Sequence, residues 1–173
     1  MRLEDFHYEL PDDRIAQTPV EPRDAARLLV DRGSAAPDHR QVRDLTDELR
    51  EGDLLVVNDS KVIPARLRLQ RASGGAAEVL LLEPLEPTRR HWEAMIRPAR
   101  KLKVGERLLT SGGVELVEVG GRTAAGDTSE ITILGEGDPL DLLGRFGEMP
   151  LPPYITTPLA QQDRYQTVYA ALD

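Results

Sequence analysis

Cysteine is absent from this 173-residue sequence, so a disulfide scaffold, a thiolate-bound zinc and a cysteine nucleophile are excluded within it. Aromatic residues make up 4%, as one Trp, four Tyr and two Phe, so a core must be built from Leu, Val, Ile and Ala. No apolar run reaches the length needed to cross a bilayer. The opening MRLEDFHYELPDD is too acidic and too poor in apolar residues for a secretory signal, and a cytoplasmic protein without membrane association is expected. His7, His39 and His91 lie far apart and no HExxH stands among them, so no metal site is expected. Walker loops, dinucleotide fingerprints and nucleophile elbows are missing too.

What is present is charge, unevenly placed. The net charge is −8, yet residues 1–60 carry 8 basic and 15 acidic side chains, residues 61–107 carry 11 and 5, and residues 108–173 carry 3 and 10. A basic middle between acidic flanks has the form of an electrostatic footprint for RNA, although a solvated face accounts for the same charges. The cations are 19 Arg and 3 Lys, and Arg favours bidentate phosphate contacts. Between 61 and 107 Trp92 is the sole aromatic, which argues against a single-strand stacking platform and for a structured RNA.

Along the chain, RLLVD (27–31) reads as a buried strand and residues 33–39 as a loop. A short helix follows, capped by Asp44 or Thr46, with Leu45 and Leu49 on one face and Gly52 at its end. Leu54–Val57 is a continuously apolar run, as in a strand covered on both faces. Asn58, Asp59 and Ser60 stand at its carboxyl end, where they serve either as a turn or as a polar site. From 65 to 135 the pattern changes to short alternating strands divided by Gly-rich turns: Ala65–Leu69, then 76–83, 91–96, 106–110, 113–119 and 129–134. Five or six antiparallel strands without a helix predict a small barrel, which closes the edges of such a sheet. Asp138 and Pro139 predict a brief helix through Phe146, and three prolines from Pro150 to Pro153 stiffen the exit.

The expected fold is therefore mixed α+β. A partial α/β barrel-like domain begins in 1–60, a small antiparallel β-barrel is inserted at 61–146, and 147–173 links and returns to the first domain. The candidate chemistry lies in small polar clusters. Asp59 is placed to orient a hydroxyl or accept a proton, and Asn58 to offer a directional amide. Arg66, Arg97, Arg100 and Lys101 suit phosphate or carboxylate. Asp163, Arg164, Tyr165 and Gln166 offer hydrogen-bonding and stacking groups together.

The segments 5–30, GDLLVVNDSKVIPARL (52–67), AEVLLLE (77–83), WEAMIRPARKLKVGE (92–106), GEMPLPPYI (147–155) and DRYQTVYA (163–170) are similar, in order, to the N-terminal half of the S-adenosylmethionine:tRNA ribosyltransferase-isomerase family of queuosine biosynthesis. The resemblance implies a monomeric enzyme of roughly twice this length, with a small β-barrel inserted in a larger α/β barrel-like domain. The implied reaction moves and isomerises the ribosyl group of S-adenosylmethionine onto 7-aminomethyl-7-deazaguanine in tRNA, without a metal. The product is epoxyqueuosine-tRNA. Asn58 and Asp59 match the family's Asn-Asp-Thr-Arg motif, and the grouping of polar residues makes them the catalytic candidates, with Arg66, Arg97, Arg100, Lys101, Tyr154, Arg164, Tyr165 and Gln166 as the substrate- or RNA-binding candidates. Ser60 and Lys61 replace the family's usual Thr and Arg. After RYQTVYA the family continues into a Pro-Thr-Ala-Gly-Leu-His-Phe segment, whereas here Ala171, Leu172 and Asp173 follow. The expectation is a truncated chain that is inactive alone. The alternative is a non-catalytic RNA-binding or assembly fragment that retains the basic barrel. Self-association would mark a third reading, a fragment that folds poorly.

Overall fold

The computed structural model describes residues 2–124 and 126–170. The chain divides into two compact units: the residues up to Asp59 together with Pro152–Ala170, and Ser60–Leu151.

The first unit is built with little hydrophobic burial. Strands β1 (Arg27–Val30) and β2 (Asp38–Gln41) form an antiparallel hairpin, joined by short 3-10 turns at Leu3–Phe6, Asp12–Arg14, Arg23–Ala25, Val42–Asp47 and Gln162–Tyr165. The predicted strand at 27–31 is present but not buried, because its sheet has two strands and Leu29 stays 61% exposed. Residues 38 and 39 of the predicted loop are in β2. The predicted helix starts earlier, at Val42, and has 3-10 geometry; Asp44 Oδ2 accepts the Gln41 amide at 2.9 Å, as in a capping box. Arg32 ties the hairpin to this turn, reaching Asp38 at 2.9 Å and Glu48 at 2.6 Å. That bond to Arg32 holds the Glu48 carboxyl below its ordinary range.

Leu54–Val57 corrects a second expectation. The segment is extended but belongs to no sheet, and Leu54 and Val56 are 88% and 82% exposed. An apolar run becomes a covered strand only where neighbours accept its backbone groups and pack its side chains. Among the described residues, none pairs with it in a sheet. The first unit has no α-helix among its described residues.

The second unit contains the core. Strands β3 (Arg66–Arg71), β4 (Ala76–Pro84), β5 (His91–Arg97), β6 (Arg107–Leu109), β7 (Glu115–Arg122) and β8 (Ser129–Ile133) are followed by helix α1 (Pro139–Phe146) and the short β9 (Gly147–Glu148). The sheet order β4-β5-β8-β7-β6-β3 returns to β4 through the β3–β4 pairing, closing a six-stranded antiparallel barrel, and β9 pairs with Arg66 and Leu67 at the start of β3. Alternation produces this geometry: Leu67 and Leu69 point inward while Arg66 and Arg68 point outward. The same interior holds Val79, Leu81, Trp92, Ala94, Ile96, Leu108, Leu116, Val117, Val119, Ile131 and Ile133, and Leu143 of α1 belongs to the same cluster. Asp138 caps α1 by accepting the Leu140 amide at 2.7 Å, with Pro139 at the first helical position as predicted.

Candidate functional site

In the first unit, long polar side chains bring distant segments together. Gln17 acts as a substitute backbone: its Nε2 donates to the Tyr154 carbonyl at 2.9 Å and its Oε1 accepts the Thr156 amide at 2.8 Å. Arg23 donates to the Gln166 carbonyl at 2.5 Å and the Asp163 carbonyl at 3.0 Å. In the opposite direction, Arg164 donates to the Val20 carbonyl at 2.9 Å and pairs with Glu21 at 2.8 Å. Thr167 Oγ1 donates to the Asn58 carbonyl at 3.1 Å.

The consequence is a single constellation. Asn58 and Asp59 share one neighbourhood with the turn carrying Asp163, Arg164, Tyr165 and Gln166. Arg164 is mostly buried and holds the turn in place, whereas Asp59 is exposed and has no hydrogen bond or ion pair with any described residue. Tyr154 is anchored through its backbone, and the residue stays 57% exposed. Gln17, Arg23 and Thr167 were not singled out by sequence reasoning. Their only signal is negative: polar residues in segments with no periodicity to explain them.

Arg23→Ala removes both bonds to the 163–166 turn. Charge-assisted bonds contribute about 1.5–3 kcal/mol each when shielded and less where water competes. Amide exchange across 162–167 is expected to rise about tenfold or more, measured by hydrogen-exchange mass spectrometry. Arg23→Lys should recover only part of the protection, since a single ammonium does not reproduce the fork. Unchanged exchange would show that the turn is held by other contacts.

The second unit carries the cations of the basic middle segment, and the structure sorts them. Arg68 pairs with Glu148 at 2.9 Å and Glu78 at 3.8 Å, and the hydrogen bond to Glu148 raises its already high pKa. Arg71 pairs with Glu106 at 2.6 Å. Arg90 is turned onto the Gly135 and Gly137 carbonyls, at 3.0 and 2.5 Å. Arg66 reaches the Leu151 carbonyl at 3.3 Å, while its buried Nε has no hydrogen-bond partner among the described residues. Arg97, Arg100 and Lys101 differ from these: all are exposed, on the end of β5 and the following turn, and none forms an ion pair through its side chain with a described residue. Arg97 stands opposite Glu78 in register, beside an open depression of about 510 Å³ lined by Arg68, Leu69, Ala76, Ala77 and Pro98.

Among the described residues, no group of three or more His, Asp or Glu is assembled that would hold a metal ion. His91 meets Thr132 Oγ1 at 3.3 Å on the barrel exterior. No helix among the described residues is long and apolar enough to cross a membrane.

A family model described as queuosine biosynthesis protein matches residues 3–173. Curated relatives named S-adenosylmethionine:tRNA ribosyltransferase-isomerase are similar over almost the whole chain. The protein of Symbiobacterium thermophilum is 50% identical over 172 residues, 98% of this chain and 50% of its own length. That of Moorella thermoacetica is 51% identical over 172 residues, again 98% and 50%. That of Heliobacterium modesticaldum is 47% identical over 175 residues, 95% and 48%. The chain thus spans about half the length of the curated relatives it matches.

Proposed function

The chain belongs to the queuosine biosynthesis protein family, and from that premise we propose that it forms part of an S-adenosylmethionine:tRNA ribosyltransferase-isomerase. In this reading the barrel docks the tRNA and the first unit contributes polar groups to the reacting centre. The reaction transfers the ribosyl group of S-adenosylmethionine to 7-aminomethyl-7-deazaguanine in tRNA and isomerises it to epoxyqueuosine, releasing adenine and methionine. The cytoplasm is the proposed place of action. The remaining half of the relatives' length is proposed to complete an α/β domain against Leu54–Val57.

Asp59 is assigned proton transfer or ribose orientation, with Asn58 beside it as a directional amide. Tyr154, Tyr165 and Gln166 are assigned to substrate positioning, with Arg164 holding their turn. Arg66 is assigned to anion contact, and Arg97, Arg100 and Lys101 to RNA phosphates.

The observation that supports RNA docking is the contrast between neutralised and uncompensated cations on one barrel. Arg68 and Arg71 already have carboxylate partners, whereas Arg97, Arg100 and Lys101 offer theirs to an outside anion. No aromatic shares that turn, so backbone phosphates rather than splayed bases are its partners. Filter binding of an unmodified tRNA transcript across a salt series tests this. The Arg97→Ala/Arg100→Ala/Lys101→Ala variant is expected to lose about tenfold or more in affinity and to flatten the salt slope by roughly 2–3. Arg68→Ala should leave the slope nearly unchanged. Wild-type and triple-variant slopes that coincide would overturn the docking proposal.

A further inference from the structure

The cations assigned to phosphate lie on a connection with little apolar anchorage of its own. Between the end of β5 at Arg97 and the start of β6 at Arg107, only Pro98, Ala99, Leu102 and Glu106 are partly buried. Its first turn is closed locally, with the Lys101 amide donating to the Pro98 carbonyl at 3.0 Å. Beyond that turn, Leu102 packs against the core, Gly105 and Glu106 pair with Val119 through the backbone at 2.7 and 2.9 Å, and one ion pair joins the connection to the end of β3. Arg71 forks onto Glu106, Nε to Oε1 at 2.6 Å and Nη2 to Oε2 at 3.2 Å. The same Nη2 donates to the Lys101 carbonyl at 3.0 Å, and Glu106 Oε2 accepts the Lys103 amide at 3.0 Å.

The pair therefore grips the backbone of the basic turn at two points, Lys101 and Lys103. It is partly shielded, with side chains 22% and 18% exposed, so it persists better than a surface pair. The Arg71 hydrogen bond, helped by the Lys103 amide, also holds the Glu106 carboxyl below its usual range, keeping it charged.

We infer that Arg71 and Glu106 are positioning residues that hold the Arg97–Lys103 turn in its RNA-binding conformation before the RNA arrives. The inference rests on the docking role proposed above. A turn ordered in advance does not lose its conformational freedom on binding, and that saving appears as affinity. Arg71 is thus withheld from the phosphates and acts through the backbone of its neighbours.

Charge provides a test of sign. Glu106→Gln removes a negative charge beside the cationic turn, so electrostatics alone predicts tighter tRNA binding. Loss of the grip predicts weaker binding instead. The expected result, in the same filter-binding series, is a 3–10-fold loss of affinity with the wild-type salt slope, because every phosphate-contacting cation is still present. Glu148→Gln, which removes an equal charge from the partner of Arg68, is expected to bind as wild type or slightly tighter. Glu106→Asp keeps the charge and shortens the reach; it should weaken binding in the same direction, and it decides the matter if Glu106→Gln does not fold by circular dichroism. Wild-type or tighter binding by the folded Glu106→Gln, or by Glu106→Asp in its place, overturns the positioning role while leaving docking intact. A wild-type chain with no salt-sensitive tRNA affinity overturns the docking role, and this inference with it.

Discussion

Gly147→Ala is expected to prise β9 from the barrel and lower its stability by about 3 kcal/mol, the upper part of the overpacking range. Gly147 lies opposite Leu67 in the β9–β3 pairing, directly after α1. Its backbone is in the ordinary extended region, with φ −92° and ψ 161°, so conformational preference is not the reason. The reason is space. A Cβ there would run into the carbonyls of Pro64 and Leu143. Both are backbone groups, and neither can rotate aside. Either β9 retreats from β3, or the Pro64 segment shifts and disturbs Ala65 and Leu67 in the core. A control of opposite sign lies three residues earlier. Gly144 in α1 has open space at its Cβ position, and Gly144→Ala should stabilise by about 0.5–1 kcal/mol through helix propensity. Trp92, the only tryptophan and buried in the barrel, reports both transitions by fluorescence in a urea titration. A Gly147→Ala midpoint equal to wild type would refute the steric account.

In a full-length relative, asparagine at the position of Asp59 is expected to lower turnover by about 10²-fold or more, the scale of a lost proton-transfer group. The carboxylate is exposed and engaged by no described residue, while Asn58 beside it is tied through its carbonyl to Thr167. Backbone placement and side-chain freedom are thus separate here, and the isosteric change should leave the fold alone. Steady-state kinetics divide the two roles given to Asp59. A fall in kcat at constant KM identifies proton handling, and a rise in the KM for S-adenosylmethionine identifies ribose orientation. If both constants stay within twofold of wild type at an unchanged melting temperature, Asp59 has neither role.

The barrel was legible because local patterns determine it. Alternation placed Leu67, Leu69, Val79 and Leu81 on one side of their strands, Gly-rich turns separated those strands, and Asp138-Pro139 marked the start of α1. Leu54–Val57 was misread because an apolar run carries no information about whether a neighbour exists to cover it. The polar constellation was half legible. The Asn58-Asp59 and Asp163–Gln166 clusters stood out by composition, but the side chains that unite them did not. Arg23 reaches Asp163 over a separation of 140 residues and Gln17 reaches Thr156 over 139.

The sequence by itself determined the family, the excluded cysteine chemistry, the antiparallel barrel and the excess of cations in its first half. Only the tertiary structure decided which of those cations are available. Charge is a property of a residue, but neutralisation is a property of a pair. Strand register sets Glu78 opposite Arg68, and the β3–β6 pairing brings Arg71 to Glu106 across 35 residues. Arg97, Arg100 and Lys101 keep their charge for an outside partner because closing the barrel brings no carboxylate into ion-pair range of their side chains among the described residues.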